Sequence, residues 1–143
     1  MGSTSDESKM SKAKETLEEF GIEYEWKVLS AHRNPDKVVN LVSTARENGF
    51  VAFICGAGMA AHLAGVVAAH TTLPVVGVPL SGGALNGQDA LYATVQMPKG
   101  VPVATVAIDG SQNAALLVLH MIGITNTDIA EKLRIYKEEM ANR

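Results

Sequence analysis

Hydrophobic and polar positions along this chain switch repeatedly between helical and strand periods, the pattern of alternating helices and strands. Between Asp6 and Phe20, apolar Met10, Ala13, Leu17 and Phe20 recur at helical spacing, and Gly21 supplies the stop. Tyr24, Trp26 and Val28 alternate with Glu23, Glu25 and Lys27, which predicts a strand with one wet face near a sheet edge. Asn34 and Pro35 stand as N-cap and first residue of a helix carrying Val38, Leu41, Val42 and Ala45, with Gly49 at its end. The run from Phe50 to Cys55 is uninterrupted and apolar, as a fully buried parallel strand would be. From Ala60 to Ala69 the residues are small and apolar on most sides, which predicts a helix buried against several neighbours. A short buried strand is expected from Val75 to Val78, a glycine-rich loop from Ser81 to Gln88 and a short helix from Asp89 to Val95. A strand follows from Val101 to Ile108, then an apolar helix from Asn113 to Ile122. The last helix, Asp128 to Met140, is amphipathic through Ile129, Leu133, Tyr136 and Met140.

This alternation predicts an α/β fold, a doubly wound parallel sheet with right-handed crossovers. The 143 residues form one domain, residues 1–143, without linker, repeat or low-complexity segment. The start is unusual. Gly2 to Asp6 reads as the turn after a strand, yet only Met1 precedes it, so the expected sheet lacks most of its first strand. The apolar helices Ala60 to Ala69 and Asn113 to Ile122 carry more apolar surface than one small domain readily covers, and contacts between copies are expected there.

Composition narrows the function classes. Hydrophobic residues make up 47% of the chain and charged residues 19%, the balance of a globular protein. A net charge of −3 and a pI near 5.8 leave no basic footprint for nucleic acid. The single Cys55 lies in an apolar run, reads as core, and fits a reducing compartment. No apolar stretch reaches membrane-spanning length and the chain opens polar, so a cytoplasmic protein is expected.

The candidate chemistry collects in turns. Ser30-Ala31-His32-Arg33-Asn34-Pro35-Asp36 places a histidine beside an arginine at a strand's carboxyl end, where open α/β sheets bind ligands. An imidazole shuttles protons near neutral pH, and a guanidinium holds phosphate or carboxylate in a fork. Asp36 falls in the first turn of its helix and suits the dipole there. Gly56-Ala57-Gly58-Met59-Ala60-Ala61-His62 follows the next strand, and its glycines let backbone approach a ligand closely. Ala61 stands at the third position of a dinucleotide fingerprint, and no acidic residue lies about 20 residues on to take a ribose. Gly2-Ser3-Thr4-Ser5-Asp6 opens a helix whose N–H groups attract anions, although plain capping by Ser or Asp is the commoner reason for such a segment. His70 and His120 lie on apolar helices and read as packing or capping residues. The four histidines lack the spacing of a metal site, and no Gly-x-Ser-x-Gly elbow occurs. Leu80 to Gln88 is either a lid over the site or a glycine-rich connection.

Those three turns, with Leu73-Pro74-Val75-Val76-Gly77-Val78-Pro79 and Val95-Gln96-Met97-Pro98-Lys99-Gly100-Val101-Pro102-Val103 in the same order, resemble the class I N5-carboxyaminoimidazole ribonucleotide mutase family of bacterial de novo purine synthesis. The resemblance covers nearly the whole chain. Class II enzymes, which carboxylate aminoimidazole ribonucleotide directly with CO2, carry a lysine after the histidine and an Ala-Gly-Arg-Ser-Asn-like run in the second loop. This chain has Arg33 and Ala61-His62 there. Met59 and Ala64 depart from the residues usual in the family, glycine at the first and the proline-glycine continuation at the second, and the tail after Met140 is short.

The resemblance implies a flavodoxin-like three-layer fold, a homo-octamer and a small phosphorylated ribonucleotide as substrate, with no cofactor, metal or ATP. It implies that a carboxyl group moves from the exocyclic nitrogen to ring carbon C4. Carried across position by position, His32 would be the general acid/base. Ser3 and Arg33 would hold the 5′-phosphate, and Asp6 would accept hydrogen bonds from the ribose. Ser5, Ser30, Ala57, Gly58, His62 and Leu63 would line the base and carboxylate pocket. Two other readings stand beside it: direct carboxylation of aminoimidazole ribonucleotide, and a non-catalytic nucleotide-binding module.

Overall fold

Helices flank both faces of a short parallel sheet in the computed structural model, which describes residues 1–142. After a 3-10 turn at Thr4–Asp6, the chain forms α1 (Glu7–Phe20), α2 (Pro35–Ser43), β1 (Phe53–Gly58), α3 (Leu63–Ala69) and β2 (Val75–Leu80). It continues through α4 (Gln88–Val95), β3 (Ala104–Thr105), α5 (Ser111–Gly123) and α6 (Thr127–Ala141). The sheet order is β1-β2-β3, all parallel, with Phe53 beside Val75 and Val76 beside Ala104.

The central strand shows why the layers form. Every residue of β2 is buried, as a strand covered on both faces requires. Val76, Val78 and Leu80 pack with Met10 of α1 and with Ala114 and Val118 of α5. On the opposite face Val75 joins Val38 and Val42 of α2 and Leu63, Ala64 and Val67 of α3. A third cluster ties α1 to α5 and α6 through Ala13, Leu17, Phe20, Leu119, Ile129 and Leu133. Helix ends follow local chemistry. Gly21 closes α1 in the left-handed conformation at φ 74°, and Asn126 caps α6 by accepting from the N–H groups of Asp128 and Ile129.

Gly77 is the tightest point of that packing. A Cβ there would run into Thr94 Cγ2 of α4 and come within 2.9 Å of Val103 Cγ1, both on stiff β-branched side chains. Gly77→Ala is therefore expected to destabilise the fold by about 1–3 kcal/mol, the usual cost of overpacking. Denaturant unfolding should show it as a lower midpoint at unchanged slope.

Several elements differ from the expectation. Residues 22–30 are extended but carry no assigned strand. Toward its end this segment pairs with Met1, whose N–H donates to Lys27 O at 3.0 Å and whose carbonyl accepts from Leu29 N–H at 2.9 Å. The run from Phe50 to Cys55 is not fully buried: β1 starts at Phe53, and Val51 is 56% exposed. Both differences have one cause, an open space between these two segments. The expected strand from Val101 to Ile108 shortens to Ala104–Thr105, with turns on either side. α2 ends at Ser43 and Gly49 terminates the following turns instead, while α3 starts at Leu63 rather than Ala60. Helices α3 and α5 keep Val66, Leu116, Leu117, Met121 and Ile122 half-buried, and the exposed large apolar residues include Leu85, Tyr92, Val95 and Ile124. No described helix is long and apolar enough to cross a membrane.

Cys55 is buried in the α2–α3 cluster, and desolvation pushes its thiol up to about 12. Thiolate is the reactive form, so its population in the native protein is on the order of 10³ lower than in the unfolded chain. Native protein at pH 8 should resist iodoacetamide, and urea should release the reaction. The sign for stability is also set. The unfolded thiol ionises first, so this contribution is present below about pH 9 and is lost as pH rises toward 12.

Candidate active site

Four turns meet at the carboxyl end of the sheet: residues 2–6, 30–34, 59–62 and 81–87. Strand polarity accounts for this. In a parallel sheet every strand delivers its following loop to the same edge, and helix N-termini begin there.

Histidine chemistry sits at the centre. His32 Nε2 lies 2.8 Å from His62 Nδ1, and the two rings meet edge to face with centroids 4.9 Å apart. A neutral imidazole carries one N–H and one lone pair, so a single proton bridges these nitrogens. Both rings are exposed toward solvent. The sequence places His32 and His62 in separate turns thirty residues apart. Their juxtaposition follows from the extended 22–29 segment and β1 running in the same direction.

Beside them Arg33 reaches across to the first turn and donates to Gly2 O at 2.9 Å. Gly2 N–H in turn donates to Gly56 O at 3.1 Å, which joins the first and third turns. Ser30 is buried, and its hydroxyl accepts the Arg33 backbone N–H at 3.3 Å, setting the shape of the turn that presents both side chains. Ser3 caps the 3-10 turn, where its Oγ accepts from Ser5 N–H at 3.3 Å and from Ser5 Oγ at 2.9 Å. Asp6 stands at the N-cap position of α1. Two hydroxyls and a guanidinium thus stand beside one helix start, an arrangement suited to an anion.

Ala57 and Gly58 end β1 and bring bare backbone to the same edge, where a Cβ on Gly58 would sit 3.3 Å from Leu80 O. Leu63 differs from the other candidates: its side chain is buried in the α2–α3 cluster, so only its backbone, at the start of α3, faces the turns. Asp36 lies exposed in the first turn of α2, as the dipole argument requires. His70 occupies the C-cap of α3, and His120 the last turn of α5.

The fourth turn has anchors that the residue pattern alone did not reveal. Ser81 N–H donates to Asp109 Oδ1 at 2.8 Å, and Lys9 Nζ donates to Ser81 O. Ser111 Oγ then donates to Lys9 O at 2.7 Å. Asp109 is left-handed at φ 58°, a conformation that Asp tolerates better than most residues. Met59 is also left-handed, at φ 52°, and its side chain lies against Gly83. The glycine-rich turn is therefore tied down at its start and contacted by the third turn. Its legible signal was a Ser-Gly-Gly run directly after a buried strand.

The sequence profile of AIR carboxylase matches residues 1–143. The chain belongs to the AIR carboxylase family. Among relatives of this family, the N5-carboxyaminoimidazole ribonucleotide mutase of Pyrococcus abyssi is 53% identical over 98% of this chain and 80% of its own length. The mutase of Thermotoga maritima is 52% identical over 98% of this chain and 82% of its own. A plant relative, the chloroplastic phosphoribosylaminoimidazole carboxylase of Vigna aconitifolia, is 47% identical, with this chain matching 25% of its length. The crystal structure of Treponema denticola PurE superposes with a TM-score of 0.88 at 29% identity, covering 99% of this chain and 89% of that one. The three-layer, flavodoxin-like α/β architecture is thus shared with this neighbour.

Proposed function

We propose that this chain is an isomerase, an N5-carboxyaminoimidazole ribonucleotide mutase that moves the carboxyl group from the exocyclic nitrogen to ring carbon C4 in de novo purine synthesis. The observation that carries this reading is the His32–His62 pair, 2.8 Å apart, beside an arginine-bearing anion cradle. Mutases about 50% identical over nearly the full chain support it.

The geometry suits the chemistry step by step. Ser3, Arg33 and the helix start take the 5′-phosphate, and Asp6 accepts from the ribose hydroxyls. That grip fixes the imidazole base near the histidines and makes the reaction effectively intramolecular. His32 protonates the carbamate nitrogen, and the N–C bond breaks to leave the amine and CO2. Ser5, Ser30, His62 and the backbone of Ala57, Gly58 and Leu63 hold the CO2 until C4 attacks it. His32 then removes the C4 proton and restores aromaticity. One proton leaves the histidine and one returns, so the enzyme ends as it began. His62 holds His32 in orientation and shares its proton, the role that a second hydrogen-bonding group plays for a general base.

The substrate is a small molecule, and the active form is a homo-octamer acting in the cytoplasm. Identity of 47–48% to two carboxylases favours one rival, direct carboxylation of aminoimidazole ribonucleotide. Separate assays decide. Turnover of N5-carboxyaminoimidazole ribonucleotide without added bicarbonate is expected. Turnover of aminoimidazole ribonucleotide with CO2 alone would establish the rival, and binding without turnover of either would leave a nucleotide-binding module.

A further inference from the structure

The 81–87 turn is fixed at its base. Ser81 is held on two sides, by the Asp109 carboxylate at its N–H and by Lys9 Nζ at its carbonyl. Gly87 is buried at φ 94°, and a Cβ there would come within 2.9 Å of Ile108 Cγ2 and 3.1 Å of Ser81 Cα. The two ends of the turn therefore press on each other. Beyond this base, residues 83–86 are exposed, and Gly82 and Gly83 have positive φ, 139° and 63°. Two glycines beside a fixed base let the tip swing at little backbone cost. Met59 meets that tip. It stands three residues before His62, in the left-handed region at φ 52°, which disfavours a side chain of its size. Its side chain is 59% exposed and occupies the space that a larger residue at 83 would need. A Cβ on Gly83 would sit 3.1 Å from Met59 Cγ and 3.3 Å from its Sδ. The bare backbone of Gly83 and the long side chain of Met59 are thus complementary.

We propose that Met59 is a positioning residue: it latches the tip of the 81–87 turn onto the histidine turn, so that the two turns together close one wall of the carboxylate pocket. This rests on the mutase function proposed above. There, breaking the carbamate N–C bond frees CO2 inside the pocket, and C4 must take it up before it diffuses away. Each escape leaves aminoimidazole ribonucleotide and CO2 in solution, and His32 regains its proton from water. A thioether suits the latch. It is unbranched and polarizable, so it packs on bare backbone without demanding one fixed shape. It brings no charge and no strong hydrogen-bonding group that would compete with His62. Met59 therefore acts through the turn and not on the substrate. The phosphate grip lies at the 2–6 turn and Arg33, so the latch governs how often CO2 is kept rather than how tightly substrate is bound.

The full chain carrying Met59→Ala, Met59→Gly or Met59→Leu decides it. Alanine keeps the backbone constraint and loses the reach, glycine loses the reach and relieves the backbone, and leucine keeps an apolar side chain of similar volume. Limited digestion with chymotrypsin, with the cut after Leu85 located by mass spectrometry, reads how often the turn opens. The alanine and glycine variants should be cut about fourfold faster than the parent, the scale of one buried methylene, and the leucine variant at the parent's rate. Each protein is then given N5-carboxyaminoimidazole ribonucleotide, and C4-carboxylated product is counted per substrate consumed, with spontaneous loss subtracted. The alanine and glycine variants should lose CO2 in about fourfold more turnovers at unchanged KM, and the leucine variant should match the parent. Equal cutting in all four proteins overturns the latch. Faster cutting with unchanged product yield overturns its role in closing the pocket. A parent that does not turn over this substrate removes the mutase reading instead, and the cutting rates then decide the latch by themselves.

Discussion

His32→Asn is expected to bind the ribonucleotide and fail to turn it over. Asparagine keeps a polar group of similar reach and can still meet His62, so the turn and the cradle should persist. It cannot give up a proton to the carbamate nitrogen and take one back from C4. Loss of a positioned acid/base costs about 10²–10⁴-fold in rate. Calorimetric titration with the substrate should show affinity within a few-fold of the parent. The two readouts together matter: near-normal turnover removes His32 from the chemistry, and lost binding would make it a structural residue of the turn.

The second large effect concerns Arg33. Its guanidinium now holds Gly2 O, and the same reach places it at the helix start where the phosphate is proposed to bind. Lysine keeps the charge and loses the fork, so at least one charge-assisted hydrogen bond goes. Arg33→Lys should raise KM about ten- to a hundredfold, the scale of one such bond, while kcat moves little. The phosphate is remote from the reacting carbons, so uniform binding is what the clamp supplies. A fall in kcat at constant KM would instead place Arg33 next to the moving carboxyl group.

Local chemistry explains why the turns that gather at one edge were readable beforehand. A capping serine, a glycine pair and a His-Arg step each follow a predicted strand or open a predicted helix. Parallel topology then sends all such turns to one edge. Distance was not readable. Nothing in the spacing of His32 and His62 specifies a 2.8 Å contact, because it depends on how two extended segments align. Lys9, Ser81 and Asp109 escaped notice for the same reason: each is an ordinary polar residue until a partner 72 or 28 positions away is known.

Hydrophobic period, glycine stops and caps by themselves determined the helices, the order of elements, the buried strand at Val75 and the polar residues that stand in the turns. These are local properties, set within a few residues by backbone sterics and burial. Only the tertiary structure decided strand lengths, the histidine contact, the anchoring of the 81–87 turn and the open slot beside β1. A strand exists only while a neighbour completes its ladder. Residues 22–29 have strand-forming side chains, yet the pairing they find is with Met1. The side chains were present in the sequence, and the pairing they make became visible only in three dimensions.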